Sequence, residues 1–492
     1  MKVLFVSSEI FPFNKTGGLG DVAACLPIAI KKAGVDIRML VPAFPAILSH
    51  FTNIEKVCDL GAAFRCKNIS LLKGTIKNNP LSSLKFYFVD APELFLRAGN
   101  PYSDAAGNAW GDNHIRYAAL SWVAASFADA GLDDFTPDVI HANDWMTGLT
   151  PVYLEAFKRR NPSIKTSSVF TIHNLAFQGV YPYSVYDDLC LPNYMFNENG
   201  LEFHRQINYL KGGVMFADKI TAVSPTYSRE IQTAEFGCGM QNDIIKRAGA
   251  LTGILNGIDY SLWNPETDKL IAKNYSRTKF EGKRVNKAQL QKDYGLAVNP
   301  NVLLMCYLSR LTHQKGVDLI LDAIPILMMN NIQLIVMGDG ADNENNRFRH
   351  IAKQYPSQFS FSSYDDDKSH MLVAGSDVLV NPARFEPCGL TQMFAMRYGT
   401  LPYARKTGGL ADTIIDANYQ NTIVNSTATG FLFENYMLQD FLYGITRIIN
   451  VYKTDKVLWN KLCRQAMVQD FSWNSAASDY IDLYNTQMNL LG

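Results

Sequence analysis

Lys15-Thr16-Gly17-Gly18-Leu19 near the start of the chain recurs as Lys406-Thr407-Gly408-Gly409-Leu410 near its end, each copy lying between an apolar, strand-like run and a segment of helical patterning. Glycines let the backbone approach a ligand, the first turn of a helix offers unpaired N–H groups and a positive dipole end, and a lysine just ahead adds a mobile cation. One such loop in each half suits a diphosphate and suggests one ligand held by two α/β domains. Outward from these loops, strand-like runs alternate with helical patterns along the whole chain, the sign of βαβ units and parallel sheets. The first half offers Val3–Val6, Ile37–Val41, Leu84–Val89, Val139–His141, Val169–His173, Ile220–Val223 and Gly253–Leu255. The second offers Val302–Leu308, Ile332–Met337, Val378–Asn381, Leu401–Tyr403 and Gly430–Phe433. Between them a polar, strand-poor stretch from about 260 to 300 reads as a linker, with the boundary just after Asn256-Gly257-Ile258-Asp259.

A chain of 492 residues exceeds what one hydrophobic core usually organises, so two domains are expected. Lys plus Arg and Asp plus Glu both number 46, and this zero net charge excludes a polyanion partner recognised by bulk electrostatics, nucleic acid included. No apolar run approaches the ~20 residues that span a bilayer, and the opening makes a poor signal peptide. No membrane association is expected, and the chain reads as cytosolic or as a mature form. Eight cysteines without a Cys-x-x-Cys pair indicate neither a disulfide framework nor a zinc site.

Two other readings compete. Gly18, Gly20 and Ala23 satisfy a dinucleotide fingerprint, but Asp36 begins the second strand, where a ribose-gripping acid should end it. Asp365-Asp366-Asp367 could be a metal-binding cluster, although short acidic runs are usually solvated loops.

In the second half, Ser309-Arg310-Leu311-Thr312-His313-Gln314-Lys315-Gly316 joins a strand to the helix-like Val317–Met329, placing Arg310 and Lys315 where α/β proteins bind ligands. Asn381-Pro382-Ala383-Arg384-Phe385-Glu386-Pro387-Cys388-Gly389-Leu390-Thr391-Gln392 follows another strand. It delivers Glu386 and a candidate anion site from the N–H groups of Gly389, Leu390 and Thr391. In the first half, Thr171-Ile172-His173-Asn174 puts His173 at a strand end, and Val139-Ile140-His141-Ala142-Asn143-Asp144-Trp145-Met146 does the same for Asp144.

These segments, with the Lys15-Thr16-Gly17-Gly18-Leu19-Gly20-Asp21-Val22 opening, closely resemble bacterial glycogen synthases and plant starch synthases over essentially the whole chain. The resemblance implies a GT-B fold of two Rossmann-like domains with parallel sheets facing across a cleft. It divides the chain into an acceptor-side domain over 1–258, a donor-side domain over 259–470 and a segment 471–492 that crosses back to the first. The implied reaction is retaining transfer of glucose from ADP-glucose to the non-reducing end of an α-1,4-glucan, glycogen or starch, with release of ADP. No cofactor and no metal are implied; the oligomeric state is left open.

Carried over residue by residue, Lys15, His173, Arg310, Lys315 and Glu386 are the implied catalytic set. The implied substrate-binding set adds Gly17, Gly18, Asp21, Asp144, Asn256, Tyr364, Cys388, Gly389, Leu390 and Thr391, with Tyr364 as an adenine-stacking candidate. Two positions depart from the family. Met146 stands where histidine is common and Ser363 where glycine is usual. Phe394 lies eight residues after Glu386, where many related retaining transferases, though not glycogen and starch synthases, have a second glutamate. Gly237-Cys238-Gly239 resembles a hinge-proximal segment, and Asp112, Asn113 and Arg116 resemble a helix start with a capping role.

Overall fold

The computed structural model describes residues 1–491. The chain divides into two compact units, one formed by Met1–Gly257 with the segment from Trp473 onward, the other by Ile258–Ser472.

The first unit is built on a nine-stranded sheet. In chain order its strands are β1 (Lys2–Val6), β2 (Asp36–Pro42), β3 (Thr52–Ala63), β4 (Cys66–Thr75), β5 (Lys85–Asp90), β6 (Val139–Asn143) and β7 (Ser167–Ile172). A small three-stranded sheet of β8 (Val180–Pro182), β9 (Glu202–Phe203) and β10 (Gln206–Asn208) precedes the last two, β11 (Lys219–Ala222) and β12 (Leu251–Gly253). The large sheet runs β12-β11-β7-β6-β1-β2-β5-β4-β3. It is parallel except at one edge, where β4 pairs antiparallel with both β5 and β3. Central strands are covered on both faces, as in β7, whose six residues are all buried although Ser167, Ser168 and Thr171 are polar. Helix Trp473–Leu491 joins this core through Tyr480 and Tyr484, and the Tyr484 hydroxyl lies 2.7 Å from Nδ1 of buried His141. His141 Nε2 meets Thr171 Oγ1 at 2.6 Å, so both ring nitrogens are engaged.

The β3–β4 hairpin corrects the reading of an unbroken βαβ series. Its two-residue turn, Phe64-Arg65, has φ of 52° and 61°, a conformation that normally announces itself as Asn-Gly or Asp-Gly. Tertiary contacts offset the strain here. Phe64 is buried, edge-on to Trp122 at 5.9 Å, and Arg65 pairs with Asp188 at 2.6 Å.

The second unit holds a parallel six-stranded sheet of β13 (Leu303–Leu308), β14 (Ile332–Met337), β15 (Phe359–Ser362), β16 (Val378–Asn381), β17 (Leu401–Arg405) and β18 (Phe431–Phe433). Its order is β15-β14-β13-β16-β17-β18. After β13 the chain builds outward to β14 and β15, then returns to place β16 on the other side of β13. The first unit repeats the pattern, with β2 on one side of β1 and β6 on the other. Each unit thus has a topological switch point, the place where α/β sheets bind ligands at the carboxyl ends of their strands.

The stretch read as a polar linker is instead folded. Helix Gly282–Asp293 lies inside it and buries Lys283, Asn286, Lys287 and Gln291. Lys287 Nζ donates to Asp377 at 2.6 Å, to the Val302 carbonyl at 2.5 Å and to the Tyr452 hydroxyl at 2.9 Å. Lys283 Nζ, without a carboxylate partner among the described residues, donates to Thr400 Oγ1 at 2.6 Å and the Ala374 carbonyl at 3.1 Å, and burial lowers its pKa to about 8. These lysines mimic a solvated surface in sequence because the partners that satisfy their charge include groups about 90 positions away, Asp377 for Lys287 and the Ala374 carbonyl for Lys283. Removing one member of a buried ion pair leaves an uncompensated charge and costs about 3–5 kcal/mol. Lys287→Met is therefore expected to lower the urea midpoint of unfolding substantially, while Lys292→Met at the same helix's exposed end leaves it nearly unchanged.

Candidate functional site

In the first unit the site is built on the loops after β1, β6 and β7. Glu9, only 3% exposed, organises the first of them. Its carboxylate accepts from the Thr16 N–H at 2.7 Å, the Thr16 hydroxyl at 2.6 Å and the Gly17 N–H at 3.2 Å, and also from the Tyr102 hydroxyl. Gly17 thus spends its N–H within the protein, and Gly18, first residue of helix Gly18–Lys32, opens the dipole end. Lys15 pairs with Asp21 at 2.9 Å, its ammonium 5.1 Å from the Phe11 ring centre. Sequence reasoning passed over Glu9, since nothing local marks a buried acid bound to a loop seven residues on.

Asp144 follows β6 with φ of 61°, a left-handed conformation costly for a non-glycine residue and common at functional sites. It is buried and accepts from the Trp145 N–H at 2.7 Å. Desolvation, reinforced by the Glu9 charge, lifts its pKa to about 7. His173, half-buried after β7, contacts Asn143 Oδ1 through Nε2 at 3.0 Å, and burial depresses its pKa to about 3, so the ring is neutral at physiological pH. Asn143 in turn donates to the Val6 carbonyl at 3.1 Å, tying the ends of β1 and β6 to the histidine. It is a second residue that sequence reasoning left without a role. Met146 is buried in the core, Gln178 donates to the Cys238 carbonyl at 3.0 Å, and the Oδ1 of buried Asn256 has no partner among the described residues.

In the second unit the loops after β13 and β16 lie side by side. Lys315 Nζ donates to Glu386 Oε2, with only 17% and 6% of the two side chains exposed. The loops are laced by Arg384 N–H to the Gln314 carbonyl at 2.9 Å and by the Tyr307 hydroxyl to the Lys315 carbonyl at 3.0 Å. Gly316 has φ of 75°, and a Cβ there would stand 2.2 Å from the Pro382 carbonyl oxygen, so only glycine lets the loops meet. Arg310 is exposed beside them. The N–H groups of Gly389, Leu390 and Thr391 donate to no acceptor among the described residues, ahead of helix Thr391–Arg397.

The second copy of the duplicated stretch does different work. Lys406 pairs with Glu434 at 2.8 Å, and helix Gly408–Thr413 spans six residues. A Cβ at Gly409 would stand 2.0 Å from the Cys388 carbonyl oxygen, and the Gly409 N–H donates to the Glu386 carbonyl at 3.1 Å. This copy backs the Glu386 loop by close packing. Cys388 itself is buried. Tyr364, half-exposed, donates to Asp366 at 2.6 Å. Asp365 caps helix Asp366–Gly375 and pairs with Lys368 at 3.1 Å, and no group of three metal-ligating side chains is assembled among the described residues. Asp36 pairs with Arg38 at the opening of β2, remote from the glycines after β1. Asp112 precedes helix Asn113–Ala130 without capping it through its side chain; it pairs with Arg97 instead, while Arg116 is buried against the Leu94 and Pro101 carbonyls.

Two α/β units with parallel sheets, each gathering its polar residues at a switch point, define the GT-B class of glycosyltransferases. Residues 2–246 match the starch synthase catalytic domain and residues 287–461 the group 1 glycosyl transferases. A glycogen synthase from Francisella tularensis subsp. novicida is 42% identical over 489 residues, 98% of each chain. The catalytic domain of starch synthase IV from Arabidopsis thaliana, bound to ADP and acarbose, superposes with a TM-score of 0.88 at 31% identity over 99% of both chains. A sucrose-phosphate synthase from Thermosynechococcus elongatus shares the fold alone, at 18% identity and a TM-score of 0.59 over 99% of both chains. The chain belongs to the glycogen and starch synthase family.

The raised pKa of Asp144 carries a pH signature. An unfolded aspartate titrates near ~3.9, so between about pH 4 and 7 the folded chain binds more protons here than the unfolded one, and stability from this group falls as pH rises. Asp144→Asn, which keeps the shape without the charge, is expected to gain melting temperature over the natural chain at pH 8 and to lose that advantage at pH 5. Parallel shifts at both values would disprove the assignment.

Proposed function

We propose that this chain elongates an α-1,4-glucan in the cytosol, transferring glucose from ADP-glucose to the non-reducing end with retention of configuration and releasing ADP. The observation that carries the reading is the Lys315–Glu386 pair at the switch point of the second unit, with Arg310 exposed beside it. The family membership and the ADP and acarbose held by the starch synthase IV relative support the same donor and acceptor chemistry. The eight cysteines, all thiols, fit a reducing compartment.

As the sugar–phosphate bond breaks, negative charge grows on the diphosphate and positive charge on the sugar ring. Lys315 and Arg310 stabilise the first, and fixed charges in a partly dry site do so without reorganising. The N–H groups of Gly389, Leu390 and Thr391 add donors on the same edge of the second unit, while Lys15 and the helix end at Gly18 offer the same chemistry in the first. Glu386, anchored by Lys315, accepts from sugar hydroxyls, and neutral His173 donates or accepts without adding charge. Asp144 and Asn256 present further polar atoms in the first unit, Asp21 holds Lys15, and Tyr364 stacks on adenine. No second carboxylate in a clear nucleophile position accompanies Glu386 among the described residues, which favours attack from the face the diphosphate leaves over a covalent glycosyl-enzyme.

Labelled ADP-glucose and a glycogen primer should yield labelled polymer, with kcat/KM well above that for UDP-glucose; equal or better use of UDP-glucose would overturn the donor assignment. Arg310→Ala tests charge with little disturbance to the fold, because Arg310 is exposed. Loss of one preorganised donor of this kind costs about 10²–10³-fold in kcat, and Lys315→Ala is expected to cost at least as much. Activity should persist in EDTA, and a strict requirement for Mn²⁺ or Mg²⁺ would return the Asp365-Asp366-Asp367 run to consideration.

A further inference from the structure

Phe394 does more than fill the place of a glutamate. Its ring stacks on Trp263 at 3.9 Å between centres with the planes 7° apart, and the opposite face of Trp263 stacks on His370 at 3.8 Å and 10°. Three parallel rings join three elements distant in the chain. His370 belongs to helix Asp366–Gly375, which opens just after Tyr364, and Phe394 to helix Thr391–Arg397, which opens as the Glu386 loop ends. Trp263 belongs to the segment that begins the second unit.

Polar ties hold the stack in register. His370 Nδ1 lies 2.7 Å from Asp268 Oδ2, and the same oxygen accepts from the Tyr398 hydroxyl, one residue past the Phe394 helix. Arg397 donates to Asn264 Oδ1 at 3.0 Å and lies over the Tyr260 ring at 4.7 Å. Tyr260 in turn accepts from the Phe471 N–H at 2.7 Å, where Ile258 also pairs with Ser472. Helix Thr391–Arg397 is thus clamped from one side by residues 260–268 and reaches the candidate site only through its first turn and the loop before it.

We infer that Trp263 is a positioning residue for the donor: the His370–Trp263–Phe394 stack fixes where the Glu386–Gln392 loop stands relative to Tyr364. Aromatic stacking supplies rigid, directional contact beyond area burial, and a displacement of about 1 Å at a reacting group can cost on the order of 10²-fold in rate. A glutamate at position 394 could not carry this stack. The assignment rests on the donor reading above, so its test has an arm that needs no donor.

Trp263→Leu removes both stacks and keeps an apolar side chain, whereas Trp263→Phe keeps a ring. In ligand-free protein, hydrogen exchange of the Met393 and Phe394 amides, which donate to the Leu390 carbonyl at 3.0 Å, should quicken about tenfold in Trp263→Leu and return close to natural rates in Trp263→Phe. The leucine variant should raise KM for ADP-glucose and leave KM for glucan unchanged, with the phenylalanine variant restoring the donor value. Unchanged exchange overturns the assignment whatever the donor. So does a lower kcat with both KM values unchanged, which is loss of folded enzyme alone. Faster exchange in a chain whose natural form does not turn over ADP-glucose supports the stack and refutes the donor reading. If Trp263→Leu fails to fold, Phe394→Leu, which breaks one face of the stack, is judged by the same outcomes.

Discussion

A parallel sheet delivers the end of every strand to one edge, and where strand order reverses, the loops from two neighbouring strands start side by side and diverge. The second unit uses that constraint to bring together Lys315 and Glu386, 71 positions apart, and bury them nearly completely. Desolvating such a pair is expensive, and its attraction offsets the cost only with close geometry and further hydrogen bonds. The surrounding lacing then has a physical purpose: Arg384 to Gln314, Tyr307 to Lys315, and Gly316 against Pro382 hold the loops where the pair survives. Remove the switch point and neither charge has a reason to be inside.

The first unit solves the same problem with an acid in the supporting role. Glu9 binds the amides that lead into the glycine turn, so Lys15 is presented from a fixed loop. The arrangement also places a second carboxylate near Asp144, which is why that residue, already desolvated and held at a strained φ, binds a proton so readily. Neutral His173 and a half-titrated Asp144 offer hydrogen bonding with little fixed charge, suited to sugar hydroxyls, while the second unit keeps its cations together.

What was legible in the sequence follows from how local each cause is. Buried parallel strands announce themselves as apolar runs, and the predicted Val317–Met329 helix and Ile332–Met337 strand match the observed limits. The β3–β4 hairpin was not legible because its turn is stabilised from outside, by Trp122 and Asp188, with Phe-Arg where turn chemistry would place Asn-Gly. Helix Gly282–Asp293 was hidden for the same reason, since buried lysines resemble surface lysines until Asp377 is seen. The motif residues after β1, β13 and β16 stand out by their local spacing, whereas Glu9 and Asn143 do not, being identified only by partners in three dimensions.

The duplicated pentapeptide carries this furthest. Five identical residues follow a strand and open a helix in both units, yet the first copy is pinned by a buried carboxylate and leads into a helix of 15 residues, while the second lies against the Cys388 backbone and leads into one of six. Helix length sets how much dipole a terminus can offer, and contact decides whether an N–H remains available. The Gly409 N–H has gone to the Glu386 carbonyl, so the second copy acts on a ligand only by shaping the loop that carries the carboxylate. Identical sequence thus opens a long helix after one sheet strand and supplies a spacer after the other, and what separates them is the neighbour each copy meets.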